Sequence, residues 1–416
     1  MRATVRMTAA RTAFVALAAT LTIQIYVSLT ATATAVLAPE IAREFHVDAH
    51  WVGVFVGIVY VGGAFASLAS GAFVERHGAI RVSQICVVLC AVGTVAMAAT
   101  PERAPIMLAL AALLIGIGYG PITPASSHLL QRTAPPSRMA LTFSIKQTGV
   151  PAGAALCGAL LPALTVALGW RMAFAIVAAV GIVVIALAQP IRAALDVDRR
   201  PHRVFSIAAI FAPLALLRQT PGLLELALVS LAYSATQVCL MSFLVVHLTE
   251  TLDWTLVSAG FALTVATIGG VIGRIGWGYV ADRLLAPRHV LMLIGALAAT
   301  CGAGMAMATT AWPTAIVVPL ALAFGATAIG WNGVQLSEVA RLAPPGAAGK
   351  VTGASGFVTF AGVVVGPPSF ALLSSLTGGY RTGFATFAGL SLAGALALGR
   401  GGKGRARKAN TMKTLS

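Results

Sequence analysis

Hydrophobic residues run along this chain in long, nearly unbroken stretches. They show neither the strict alternation of a half-buried strand nor the three-to-four spacing of a surface helix. A helix needs about 20 mainly apolar residues to cross a hydrocarbon core of about 30 Å, and lipid offers no partner to an unpaired backbone amide. Twelve stretches meet that length: 12–37, 51–74, 82–100, 105–131, 139–168, 170–190, 222–248, 256–281, 288–310, 313–337, 351–376 and 380–399. They predict an all-α polytopic membrane protein with twelve transmembrane helices. The first stretch follows Arg2, Arg6 and Arg11 but is longer than the 7–15-residue core of a signal peptide, so it is expected to remain as span one.

Composition narrows the class. Of 416 residues, 58% are hydrophobic and 10% charged, with mean hydropathy +0.90, against about 25% charged in soluble domains. The net charge of +16 changes meaning once it is mapped onto the spans. With the N-terminus placed inside, the inner loops and tails carry 22 of the 28 Lys and Arg, and the outer loops only Arg43, Arg103, Arg171 and Arg381. That asymmetry is the positive-inside signature. It predicts cytoplasmic termini in a cell (inner or plasma) membrane, with no nucleic-acid partner. The basic run 400–416 reads as a solvated tail near anionic lipid headgroups. All five cysteines fall inside spans without His or carboxylate company, so neither metal nor cofactor is expected. No Gly-x-x-x-x-Gly-Lys-Ser/Thr run is present to drive an ATP motor, and the chain is not expected to be an enzyme.

An internal repeat organises the spans. Gly53 pairs with Gly260, and Gly71-Ala-Phe-Val-Glu75-Arg76 with Gly278-Tyr-Val-Ala-Asp282-Arg283, both at an offset of 207. Arg132-Thr-Ala-Pro135-Pro136 pairs with Arg341-Leu-Ala-Pro344-Pro345 at 209, and Gly169-Trp170-Arg171-x-x-Phe174 with Gly379-Tyr380-Arg381-x-x-Phe384 at 210. The chain therefore divides into a six-helix half at 1–190, a cytoplasmic linker at 191–221, a second half at 222–399 and the tail. Within the linker, 204–217 is apolar but too short to span, and an interfacial helix is expected. Parallel six-span halves point to alternating access, with substrate near the midplane between them.

The loop Gly71…Glu75-Arg76-x-Gly78-x-x-Arg81, repeated as Gly278…Asp282-Arg283, resembles the signature between spans two and three of the major facilitator superfamily. Glu75 stands where that family usually has Asp. The resemblance implies a two-half, twelve-helix fold, a monomer, and a gate on the cytoplasmic side. In that gate Glu75 faces the start of span eleven near Lys350, and Asp282 the start of span five near Arg138.

Two cations lie inside spans, where an ionisable group costs at least about 2.5–3.5 kcal/mol. Lys146 is about 10 Å into span five, and Arg274 about 12 Å into span eight, at 1.5 Å per residue. No carboxylate at that depth is available to either, so the pair suggests an anion site; the other reading is that both satisfy helix carbonyls. Arg274, in Gly273-Arg274-Ile-Gly-Trp-Gly278, resembles the eighth-span arginine of monocarboxylate and oxalate carriers. Lys146-Gln147-Thr148-Gly149-Val150-Pro151 resembles cyanate-permease-like and anion-symporter branches. Span eleven lacks the second cation of oxalate carriers, which favours a monoanion. Further candidates for the cavity are Gln147, Gln24, Tyr26, Tyr119, Thr123, Tyr233, Gln237, Trp331, Asn332 and Gln335. Together these predict a secondary transporter for a small organic anion, a monocarboxylate; symport with protons, uniport and anion exchange fit the sequence equally well. The alternative is a drug-efflux antiporter, which would want acidic residues at the midplane.

Overall fold

The computed structural model describes residues 8–46, 51–102, 104, 106–200 and 207–413. Among them, twelve helices are long and apolar enough to cross a membrane, and there is no strand. The protein is a multi-pass membrane protein built as two pseudo-symmetric six-helix halves. Spans one to six are Ala9–Val36, Trp51–His77, Ala79–Ala98, Ile106–Thr133, Pro136–Leu168 and Trp170–Leu195. Spans seven to twelve are Leu223–Leu252, Leu256–Arg283, Pro287–Met307, Thr314–Leu342, Ala348–Thr377 and Tyr380–Gly399. The linker helix is Ile207–Gln219; the start of the expected interfacial helix lies outside the described residues. Span twelve ends at 399 as expected, and its helix continues to Lys413. No proline interrupts it, and Lys and Arg near a helix C-terminus suit the helix dipole.

The repeat is legible in the packing. Gly116 of span four lies on the Val59 carbonyl of span two, and Gly325 of span ten lies on the Ala266 carbonyl of span eight. One crossing maps onto the other at offsets of 209 and 207. Only a residue without a Cβ permits such backbone approach, the usual route to tight packing where lipid supplies no hydrophobic drive between helices.

Three spans break near mid-depth. Span four is interrupted at Gly120-Pro121, between Ile106–Tyr119 and Ile122–Thr133. Span ten is interrupted at 329–331, between Thr314–Ala328 and Asn332–Leu342. Span five is interrupted at Thr148, between Met139–Gln147 and Gly149–Leu168. The last break has a sequence cause. Pro151 has no N–H to return to the carbonyl four residues back, so the Gln147 carbonyl is left without its helical donor. Irregular backbone at membrane depth survives only where protein or a cavity satisfies it.

Candidate substrate cavity

A central cavity lies between the halves, walled by spans two, four, five, seven, eight, ten and eleven. Arg274 is the only charged side chain among its described lining residues. The residue is only 2% exposed, and its guanidinium bridges the halves. Nε donates to the Ile329 carbonyl at the span-ten break, 3.1 Å away, and Nη1 donates to the Gln147 carbonyl that Pro151 leaves free. Nη2 makes no hydrogen bond to any described residue. Arg274 thus both satisfies helix carbonyls and keeps one donor for the cavity.

Lys146 is not in the wall. It is 1% exposed and sits behind Gln147, donating to Gln24 Oε1 at 2.7 Å, Gln147 Oε1 at 3.0 Å and Thr123 Oγ1 at 3.4 Å. The structure therefore corrects the picture of two cations facing one cavity: Gln147 stands between Lys146 and the open space. Gln24 is likewise behind the wall, and its Nε2 donates to Ser28 Oγ at 3.0 Å.

Of the other expected lining residues, Gln147, Tyr119, Thr123, Gln237, Trp331, Asn332 and Gln335 do reach the cavity. Trp331 Nε1 and Asn332 Nδ2 both donate to Gln237 Oε1, at 3.1 and 3.0 Å, and Gln335 donates to Ser355 Oγ at 3.0 Å. Tyr26 and Tyr233 are corrections. They are counterparts at the offset of 207, and both phenols turn outward: Tyr26 toward Gly181 and Ala91, Tyr233 toward Gly295, where it donates to the Leu291 carbonyl at 2.9 Å. A glycine opposite each ring makes the space that draws it from the cavity. Residues not anticipated include Tyr60, Ser67, Ser234, Ser355, Thr359 and Phe360. Tyr60, Tyr119 and Phe360 form an aromatic wall with ring centroids 6.0–6.4 Å apart. Ser355 and Thr359 share one helix face at i,i+4 spacing, the same signal that singled out Tyr119 and Thr123.

The cavity is sealed toward the face that bears both termini. Glu75 Oε1 pairs with Lys350 Nζ at 2.5 Å. The Asp282 carboxylate accepts from the Ala140 and Leu141 amides at 2.9 and 2.8 Å, capping span five of the other half. A helix N-terminus favours an anion there. Gly71 and Gly278 let the helices close, resting on Lys350 and Ser144 across the interface. Gly78, at φ +90°, turns the chain into span three. The arginines of the motif take no part in these cross-half contacts: Arg76 and Arg283 are exposed, and Arg81 reaches only Gln84 at 3.4 Å. Span three is instead capped from its own half by Asp196, which accepts from the Ile80 and Arg81 amides at 2.8 and 3.0 Å. Two residues on, burial works to raise the Asp198 carboxyl, but Arg132 and His128 hold it below the ordinary aspartate value.

The sequence profile of the Major Facilitator Superfamily matches residues 20–367. The chain belongs to the Major Facilitator Superfamily. This superfamily member is a transporter rather than an enzyme. It is 22% identical over 389 residues to a hexuronate transporter of Bacillus subtilis (strain 168), covering 88% of this chain and 89% of the relative. It is 30% identical over 152 residues to monocarboxylate transporter 13 of Rattus norvegicus, which is 36% of this chain and 35% of that protein. Among solved structures, the fucose:proton symporter of E. coli superposes with a TM-score of 0.72 at 14% identity, covering 92% of this chain and 98% of that one.

Proposed function

We propose that this transporter carries a small organic monoanion, a monocarboxylate, by alternating access and together with a proton, in a cell membrane with both termini cytoplasmic. The observation that carries the reading is Arg274: a buried guanidinium with a free nitrogen in a cavity whose described lining holds no carboxylate. Arg suits a carboxylate because its planar fork matches the carboxylate oxygens. With Nε and Nη1 held by carbonyls, Nη2 makes the first contact, and Gln237, Asn332 and Gln335 offer amides to the rest of the solute. The cavity volume of about 140 Å³ is below the 300–1,000 Å³ of drug-sized sites, which favours a small solute. The lining also argues against a cation exporter, which needs negative charge in the cavity.

The names of the relatives point the same way: a hexuronate is itself a hydroxylated monocarboxylate. The test is uptake into proteoliposomes of labelled D-glucuronate and L-lactate, with a lipophilic cation as control. Saturable uptake of at least one acid and none of the cation is expected. Accumulation of the cation alone would overturn the reading.

In this reading the sealed face is the cytoplasmic gate, and Glu75–Lys350 and Asp282 at the start of span five are its latches. Asp282→Asn removes the charge from the helix N-terminus, where an anion contributes about 0.3–1 kcal/mol, up to about 2. A roughly two- to tenfold rise is expected in the population whose spin labels on the two halves separate at this face. An unchanged distance distribution would refute the latch.

A further inference from the structure

We propose that the amine of Lys146 is the coupling-proton site, taking up its proton as an anion occupies Arg274, so that monoanion and proton cross together without net charge. This rests on the Arg274 anion site proposed above.

The ligands of the amine carry the argument. A lysine buried for structural reasons is normally paired with a carboxylate, and none among the described residues touches Lys146. It is held instead by two amide oxygens and one hydroxyl, from Gln24, Gln147 and Thr123. Three acceptors match the three N–H bonds of an ammonium. Each ligand is also amphoteric: an amide has a donor end, and a hydroxyl donates as readily as it accepts. When the amine is neutral, its lone pair needs one donor, and the Thr123 hydroxyl supplies it without any backbone movement. The nest therefore satisfies both protonation states. A carboxylate, which only accepts, would hold the lysine charged.

The neighbours fix what the proton responds to. Span one presents the neutral Gln24 to the amine, while the Tyr26 phenol turns away toward Gly181. Span four presents Thr123; farther along it the Tyr119 phenol lines the same cavity as Arg274, and His128 is bound to Asp198 at the sealed face. Span eight presents Arg274, a charged group that bonds to the same residue, Gln147, as the amine does. One residue joins the two cations. Gln147 accepts from Lys146 through its side chain and from Arg274 through its backbone carbonyl. With the cavity empty, a proton on Lys146 sets two like charges across Gln147. An anion on Arg274 cancels one of them, so the amine gains its proton most readily when the anion is bound. Linkage makes the effect reciprocal: protonation of Lys146 strengthens anion binding by the same factor. The step is the conversion of a neutral amine and a proton to an ammonium. The proton enters from water on the open face and leaves to water on the other, and no other bond changes.

The pseudo-symmetric position supports a dedicated role. At the repeat offset, Ser355 stands in place of Lys146, Gly356 in place of Gln147 and Ser67 in place of Arg274. Ser67 makes its cross-half hydrogen bond to the Gly353 carbonyl at 3.2 Å. The fold closes there without a cation, so a charged pair is not needed at the equivalent crossing to join the helices.

The experiment measures protons taken up per anion bound. D-glucuronate and L-lactate are titrated into the purified full-length protein in weak buffer with a pH indicator, and calorimetry is repeated in two buffers of different ionisation enthalpy. Wild type is expected to take up about one proton per bound anion, with affinity falling up to tenfold per pH unit on the alkaline side. Lys146→Arg, which stays charged, is expected to take up none per anion bound, and pH-gradient-driven accumulation should fall at least tenfold. Lys146→Gln should bind with an affinity independent of pH. Anion binding by wild type with no proton uptake overturns the proton site and leaves the anion site standing, as does proton uptake by Lys146→Arg. Failure of wild type to bind either anion overturns the Arg274 reading and this one with it. Because the wild-type proton count is decisive alone, the test survives a variant that does not fold.

Discussion

Replacing Arg274 by alanine should slow anion transport at least 100-fold while the protein still folds. A hydrogen bond to a charged group contributes about 1.5–3 kcal/mol, and about 1.4 kcal/mol is a factor of ten. Losing one such contact to the anion therefore costs one to two decades. Loss of the only cation among the described cavity-lining residues adds to that, because a carboxylate would enter with no opposing charge. The structural cost is smaller. The Ile329 and Gln147 carbonyls lose their donor, but both lie at helix breaks beside the cavity, where water can replace it. Arg274→Lys separates the two roles. It keeps the charge on a single nitrogen that cannot reach both carbonyls and the anion at once, so an intermediate rate with weaker substrate affinity is expected. The measurement is initial uptake in proteoliposomes, normalised to the monodisperse protein recovered. Wild-type rates in Arg274→Ala would show that the guanidinium is only a bridge between helices.

The second large effect is on folding. Gly116→Ala and Gly325→Ala each place a Cβ against a backbone carbonyl of the crossing span, Val59 in one half and Ala266 in the other. A flexible side chain could yield, but a carbonyl inside a helix cannot move without shifting the helix. Overpacking a well-filled core costs about 1–3 kcal/mol, and a backbone clash at a crossing point belongs at the upper end. The yield of folded, monodisperse protein should drop at least tenfold for each variant, with a lower thermal midpoint in whatever is recovered. Gly158→Ala is the control, because nothing lies within 4 Å of its added Cβ. If all three variants behave like wild type, the crossings are looser than the packing indicates.

Several features of this transporter could be read before any coordinates. Twelve apolar stretches are long enough to cross lipid, and each closes its own backbone hydrogen bonds, so their number depends on local composition alone. The offset of 207–210 is a property of the string of residues, and it reappears in space as the paired crossings at Gly116 and Gly325. The sealing contacts were legible only through the family resemblance. Glu75 and Asp282 sit at fixed loop positions, and the structure places them against Lys350 and the Ala140–Leu141 amides. The motif's arginines were a different matter. Nothing in the spacing indicates that Arg76 and Arg283 point to solvent, because a charged side chain at a helix end is equally at home in water or in a pair.

Side-chain direction around the cavity belonged to the tertiary structure. Depth along a span follows from 1.5 Å per residue, so the sequence by itself placed Lys146 and Arg274 at similar depth and on opposite halves. Whether each faces open space depends on what the neighbouring helices present. The Tyr26 and Tyr233 rings leave the cavity because Gly181 and Gly295, on other spans, make room behind them. Lys146 is withdrawn because Gln24 and Thr123, from two further spans, converge on its amine. The sequence determined class, span number, repeat and the presence of two buried cations, all of which depend on composition and distance along one helix. Only the tertiary structure decided that Arg274 meets the substrate space and Lys146 stands behind Gln147, because that depends on how five helices are rotated against one another.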